Sequence, residues 1–576
     1  MSLENKKSKK KVNKAKKIIG ENKTLVAGAL IAVVGIAGIL SGLYIYNPPP
    51  EEQIFIYGMN RNPRYPDPLI APFQMDFFSQ VVILQVAEGL FTTNYSDGTY
   101  NTVPNLATSF VWSPDGLNFT CTIKQNVKFH DGTPFNALAV KWNFDRIHKL
   151  VIYIGEFLWR LPDDSGWIIN ETKVIDDYTV RFVLNQPFAP IRSLFAAQFS
   201  VMLSPTSTPE DDFIYTFTKD FCGTGPFMFD VFDENVSLTL SRNPNYRGSS
   251  NIKIDKLKFV IIFNHTTRLE EMESKELSMT FAGSPWSNEN RTVLANTPGI
   301  SVEYTDSMIQ YYLFMNIKKV NTTMREAISY AFDYSSYIEK FTAYNETGSR
   351  SPIPKQLPFS NWEDFEVPYY NITIARQILI DANWNGTAGL SANDDISFGN
   401  DWEIKTNSSF PLATYQFSYI NGDDGYTALP LNPLTEYLAQ IGVKVEPEPL
   451  SGSEFFGRLM EFWGYNRSML EELYFIAYNP IYNDPHSVIQ PLFTSKGEND
   501  NFAQVNDTLI QQWLEAAAGE LNNTARDHIY YQIQERLIEK VYPMLWLHNE
   551  QSVDTYLSNI RGLDVHTYLF KDINFA

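Results

Sequence analysis

An uncharged run of 22 residues, LVAGALIAVVGIAGILSGLYIY from Leu25 to Tyr46, constrains this chain more than any other feature. At 1.5 Å rise per residue, a helix of that length covers a hydrocarbon core of about 30 Å. Nine lysines stand before it: Lys6, Lys7, Lys9, Lys10, Lys11, Lys14, Lys16, Lys17 and Lys23. That asymmetry predicts an N-terminus in the cytoplasm and everything from Asn47 outside. A cleaved signal peptide would need a small-residue A-x-A site, which the end of the run lacks. Cys121 and Cys222 are the only cysteines, so no thiol near the membrane can carry a lipid. The expected layout is a basic cytoplasmic tail over residues 1–24, a transmembrane anchor over 25–46 and a Pro-rich stalk over 47–52.

With Glu4 and Glu21 counted, the first 24 residues carry +7 of a chain total of −20, leaving −27 on the exported part. So acidic a surface repels phosphate backbones, and no nucleic-acid partner is expected. Sequons offer an independent test of location, because N-x-S/T is glycosylated only outside the cytoplasm. They occur at Asn94, Asn118, Asn170, Asn235, Asn264, Asn290, Asn321, Asn345, Asn371, Asn385, Asn407, Asn466, Asn506 and Asn522, more often than chance gives and without clustering. An extracellular glycoprotein tethered by one helix is the expectation. Cys121 and Cys222 could pair in an oxidising compartment, but spacing alone leaves a disulfide open.

At 576 residues the chain exceeds one core and should fold as three or more lobes. Strand signals begin at Ile54-Phe55-Ile56-Tyr57. Asp97-Gly98, Asp115-Gly116 and Asp131-Gly132 read as turns around a half-buried strand in which Leu117, Phe119, Cys121 and Ile123 alternate with polar residues. Val140, Phe144 and Ile147 then recur at helical spacing behind Pro134 and Asn136, and strand resumes over 178–184. Further helices are marked by Ala327, Ile328, Ala331 and Phe332, and by Ile529, Ile533, Leu537 and Val541. Residues 383–409 read as an irregular insertion. Enzyme signatures are absent: no histidine forms H-E-x-x-H, no P-loop lysine exists, and Gly223-Thr224-Gly225 lacks the third glycine of a dinucleotide fingerprint. His130-Asp131 is better read as a hairpin turn than as a base. Aromatic residues make up 14% of the chain; most must be core, yet clusters such as Tyr311-Tyr312 and Phe462-Trp463 suit a cleft that holds a polar ligand by stacking and hydrogen bonds.

Several runs, in order, resemble a known family. Asp67-Pro68, Glu88-Gly89-Leu90, Val103-Pro104-Asn105-Leu106-Ala107, and Trp112-Ser113-Pro114-Asp115-Gly116 through Phe129-His130-Asp131-Gly132-Thr133-Pro134-Phe135 are similar to the N-terminal signature of the extracytoplasmic solute-binding proteins of peptide and nickel type (family 5). Gly223-Thr224-Gly225-Pro226-Phe227 with Arg242-Asn243-Pro244-Asn245-Tyr246, the run from Met324 to Asp333, and Asn483-Asp484-Pro485 resemble its later ones.

The resemblance implies an α/β, two-lobed periplasmic-binding-protein-like fold (type II, with an extra subdomain) behind the transmembrane helix. Lobe I would comprise residues 53–94, 206–308 and 547–576, the subdomain 95–205, and lobe II 309–546. It further implies a non-enzyme without cofactor or metal, which captures oligopeptides between the lobes and delivers them to an ABC permease and its ATPase subunits. Cleft candidates on that pattern are Phe281, Tyr311, Tyr312, Trp463, Tyr478, Ile481 and Trp546. Peptide-binding relatives carry an amine-gripping aspartate where this sequence has Ile481, so oligosaccharides are the alternative solute. Asp484 is expected to form a turn. An extracellular glycoside hydrolase is the competing class, although no carboxylate pair is nominated by spacing.

Overall fold

Alternation of apolar and polar residues builds the first sheet as anticipated. In the computed structural model, Asn118–Ile123 buries Phe119, Cys121 and Ile123 and turns the intervening residues outward. It lies in a four-stranded antiparallel sheet in the order Ala107–Trp112, Asn118–Ile123, Thr179–Leu184, Ile169–Asp176. The helix Ala137–Leu150 packs on this sheet, burying Val140, Phe144 and Ile147. Asn136 starts the helix, its Oδ1 accepting from Ala139 N at 3.0 Å. The structure describes residues 52–70, 77–96, 98–150, 159–161, 165–281, 288–341, 348–349, 351–361, 363–394, 400–421, 427–460, 469, 471–495 and 501–576, of which 281, 288, 289, 340, 341 and 460 by backbone alone. The basic tail and the apolar run 25–46 lie outside these residues. Among the described residues no helix is long and apolar enough to cross a membrane.

A ten-stranded mixed sheet organises the unit Gln53–Ala576. Its order is Phe227–Asp233, Ser237–Arg242, Lys256–Ile261, Ile54–Met59, Met279–Phe281, Met544–Leu557, Ile300–Met315, Leu473–Tyr478, Ala413–Ile420, Val443–Leu450. Each half is covered on both faces, as a sheet with apolar side chains on alternate sides requires. In one half Phe55, Tyr57 and Phe259 face one core while Val553, Leu277 and Leu294 build another. In the other half Tyr312, Phe314 and Trp546 face one core, and Leu313, Met315 and Leu545 the opposite one. The expected helices are Thr322–Ala331 and Asn523–Arg536, the latter continued through Val541 as a wider turn. Residues 383–409 are not wholly irregular: Asn400 caps a short helix, Asp401–Asn407, whose Trp402 is fully buried.

Gly223 and Gly225 have a steric purpose. The chain there crosses the end of the helix Phe77–Val86, with Gly225 N bonded to Val86 O at 2.8 Å. A Cβ on Gly223 would stand 2.2 Å from Val86 O, and one on Gly225 2.5 Å from Gln85 O. Asp131 is a clasp between the small sheet's lobe and the large one, accepting from Thr133, Ser204 and Ser207 hydroxyls. Burial works to raise its pKa, but those donors outweigh it and bring it down to about 2.

Four sequon asparagines serve as helix caps. Asn264, Asn321, Asn371 and Asn522 each accept through Oδ1 from a first-turn N–H at 2.9–3.1 Å, meeting donors that a helix start leaves bare. Asn94, Asn170, Asn235, Asn385, Asn407 and Asn506 are exposed, and Asn118 and Asn290 half-buried. Asn345 and Asn466 lie outside the described residues. Cys121 and Cys222 are separate buried thiols, so the pairing left open by the sequence is not formed.

Candidate functional site

Among the described residues only two strands, Ile300–Met315 and Met544–Leu557, belong to both halves of the large sheet. Residues 300–306 pair with 551–557 beside Met279–Phe281, whereas 310–314 pair with 544–549 beside Leu473–Tyr478. Between these stretches residues 307–309 stand opposite Glu550 alone. Such a bulge breaks the ladder and bends the ribbon, which makes it the candidate hinge between the halves. Gln310 braces one flank: its Nε2 donates to Ser349 Oγ (2.7 Å) and Asn549 Oδ1 (3.1 Å), and its Oε1 accepts from Tyr312 OH. On the other flank Lys355 pairs with Asp306.

Two carboxyls of the second crossing strand are shifted by burial. Glu550 accepts from Tyr311 OH at 3.3 Å and is pushed up to about 7. Asp554 is fully buried and pushed up to about 8, although Tyr568 OH donates to both its oxygens at 3.1 and 3.2 Å. An unfolded aspartate titrates near 3.9. Between about pH 4 and 8 the unfolded chain therefore sheds a proton that the folded chain keeps. The stability Asp554 confers is complete below about pH 4 and is lost as pH rises to about 8. Asp554→Asn should flatten the decline of Tm between pH 5 and 8; a variant whose Tm falls as steeply as the parent's would refute this assignment.

On one side of the hinge the hairpin Phe91–Ser96/Thr99–Pro104 meets the far half of the sheet. Tyr100 N donates to Gln356 O at 3.0 Å, and Asn483 Nδ2 donates to Tyr100 O at 2.5 Å. Ile481 and Tyr482 pack into the core of the four-stranded lobe. Nearby, Phe188 meets the His486 ring edge-on at 5.2 Å, and Ala189 N donates to Ala518 O. Tyr95 stacks edge-on against His566 at 3.7 Å, bringing the C-terminal segment to the same seam. Burial lowers the His486 pKa to about 3, leaving the ring neutral, with Nδ1 2.6 Å from Tyr482 OH. Asp484, weighed in the sequence as a turn-former, does accept from His486 N at 2.9 Å. It is also gripped at both oxygens by Arg526, at 2.8 and 2.7 Å.

The anticipated cleft residues gather near the hinge, several of them as core. Tyr311 stacks between Phe475 and His548 at 5.7 and 4.4 Å. Tyr312 and Trp546 are buried against each other, and Tyr478 is buried with its OH on Ser487 O at 2.9 Å. Ile481 is half-buried and packs against the core of the four-stranded lobe. Phe281 pairs through its backbone with Asp554, its side chain and Trp463 lying outside the described residues. Tyr95, Tyr100, Gln310, Gln356 and Glu550 were not anticipated; Asn483 was, but only within its motif. A separate cavity of about 270 Å³ lies in the small-sheet lobe, lined by His148, Trp159 and Trp167, away from the hinge. Among the described residues no group of His, Cys, Asp and Glu could hold a metal.

Residues 101–500 match the bacterial extracellular solute-binding proteins, family 5 (middle region). The glutathione-binding protein GsiB of Shigella flexneri serotype 5b is 23% identical over 87% of this chain and 90% of its own length. Among solved structures, the periplasmic binding protein DppA from Helicobacter pylori, in complex with the peptide STSA, superposes with a TM-score of 0.66 at 21% identity, covering 91% of this chain and 98% of that one. NikA from Brucella suis, in complex with Fe(III)-EDTA, gives 0.73 at 19% identity, covering 91% and 100%. The fold is thus the α/β, two-lobed fold of periplasmic binding proteins.

Proposed function

The chain belongs to the bacterial extracellular solute-binding proteins of family 5, and from that premise we propose that it is the receptor of an ABC importer, closing its lobes on an oligomeric solute and presenting the closed form to a permease. The observation that carries this is the hinge: among the described residues two strands join the halves, their pairing breaks at residues 307–309, and a seam of polar and aromatic side chains lies beside that bulge. A solute bound by both lobes lowers the free energy of the closed state relative to the open one, and that shift in population is the signal a permease can read. Binding needs no covalent chemistry. Lobe I is assigned to 53–94, 206–308 and 547–576, the subdomain to 95–205 and lobe II to 309–546. The bulge at residues 307–309 supports the first hinge boundary.

Oligopeptide is the first expectation for the solute, in keeping with the relatives' names. Oligosaccharide is the second, because the place of an amine-binding aspartate is taken by Ile481, which packs on apolar core. Residues 25–46 would anchor the receptor with its lobes outside, glycosylated at exposed sequons. Addition of the right solute to the purified full chain should raise Tm by several degrees and reduce the radius of gyration in small-angle scattering. A peptide and oligosaccharide panel that moves neither quantity would sink the receptor assignment. Alkaline extraction that releases the native chain from membranes would sink the anchor.

A further inference from the structure

We propose that Gln356, together with Asn483, reads an uncharged solute group that both donates and accepts hydrogen bonds, such as a peptide unit or a sugar hydroxyl, and that its unmet amide opposes closure on nothing; this rests on the receptor reading above. Gln356 is fully buried, yet neither Nε2 nor Oε1 has a partner. Asn483 is 6% exposed, and its Oδ1 is likewise unmet while its Nδ2 bonds Tyr100 O. Both residues contact the main chain of Tyr100, from the opposite side of the hinge.

The other deeply buried glutamines show how this protein treats such groups. Gln85 donates to Val81 O and Tyr568 O and accepts from Phe570 N. Gln310 is bonded at both amide atoms, as is Gln534, which donates to Phe359 O and accepts from Ser351 Oγ. Gln356 departs from this rule at a place where the two lobes touch beside the hinge, its own main-chain oxygen accepting from Tyr100 N. A buried amide with no partner is costly, and on this proposal that cost falls on the closed seam.

The unmet chemistry is neutral. Two acidic groups at the seam are matched within the protein, Asp306 by Lys355 and Asp484 by Arg526, and Arg192 lies over the Phe110 ring at 5.0 Å. A carboxylate brings no donor and an ammonium no acceptor, so neither can satisfy both ends of the Gln356 amide. A peptide unit or a hydroxyl can. Gln356 then acts twice: it disfavours the empty closed state and rewards a solute that fills both valences.

The test uses Gln356→Leu in the full chain, with Gln356→Met as a second variant of different shape. Calorimetry would measure binding of tetra-alanine and of cellotetraose, and small-angle scattering the fraction closed without either. The expected result is binding at least tenfold weaker for whichever probe the parent takes, with a larger closed fraction when no probe is present. Tetra-alanine as the probe taken would identify peptide units as the group read, and cellotetraose hydroxyls. Loss of a merely structural residue would lower Tm without populating the closed form. Binding within twofold of the parent, or an unchanged closed fraction in both variants, overturns the proposal while leaving the receptor reading intact. If the parent neither binds nor closes on either probe or on a wider solute panel, both fall together.

Discussion

Arg526→Leu is expected to destabilise the folded chain by about 3–5 kcal/mol, the usual cost of stripping one partner from a buried ion pair. Arg526 and Asp484 are 5% and 4% exposed, and their bidentate contact is held further by Arg526 Nε on Ala517 O and by the Phe359 and Tyr530 rings at 5.3 and 5.2 Å. Removal of the guanidinium leaves the Asp484 carboxylate in apolar surroundings with only His486 N and Tyr530 OH as donors. Urea unfolding should show a lower midpoint at unchanged slope. Replacing Asp484 by Leu as well should restore much of the loss, because no charge is then stranded. A single variant within 1 kcal/mol of the parent would contradict the pair's structural role.

Gly223→Ala should cost about 3 kcal/mol or more, through main-chain displacement and not through lost entropy. Its Cβ would meet Val86 O at 2.2 Å and Ala87 Cα at 2.6 Å, and backbone cannot yield as a flexible side chain does. Gly98 offers the control, since nothing lies within 4 Å of an added Cβ there; at its φ of 79° alanine should cost only the local strain of about 1 kcal/mol. Thermal unfolding that ranks the two variants the other way would show that the crossing at the helix end tolerates adjustment.

Local physics was legible in the sequence, and distant pairing was not. The helix Ala137–Leu150 and the strand Asn118–Ile123 follow from apolar periodicity, which is written within a dozen residues. The sheet order was hidden, because Ile300–Met315 lies against Met544–Leu557 some 240 residues away, and only the family resemblance carried that information. Among cleft candidates, aromatic residues were nominated for their rings, yet Tyr312, Tyr478 and Trp546 proved to be core with their polar tips already bonded or enclosed. Gln356 gave no signal at all: a glutamine between Lys355 and Leu357 reads as solvated loop, and its enclosure arises from tertiary contacts alone. Asp484 was half legible, since the turn is local but Arg526 sits 42 residues on.

The capping asparagines carry a consequence for how occupancy of the sequons can be mapped. At Asn264, Asn321, Asn371 and Asn522 the Oδ1 atom is committed to a helix start, while glycan attachment uses Nδ2, so one side chain can serve both ends at once. Exchanging these residues for glutamine or alanine would remove a helix-start acceptor as well as the sequon, at about 1 kcal/mol per helix, and a loss of yield or activity would be misread as a requirement for glycan. Thr266→Ala, Thr323→Ala, Thr373→Ala and Thr524→Ala erase the acceptor sites and spare the caps. A test for glycan at these four positions therefore belongs on the third residue of each sequon.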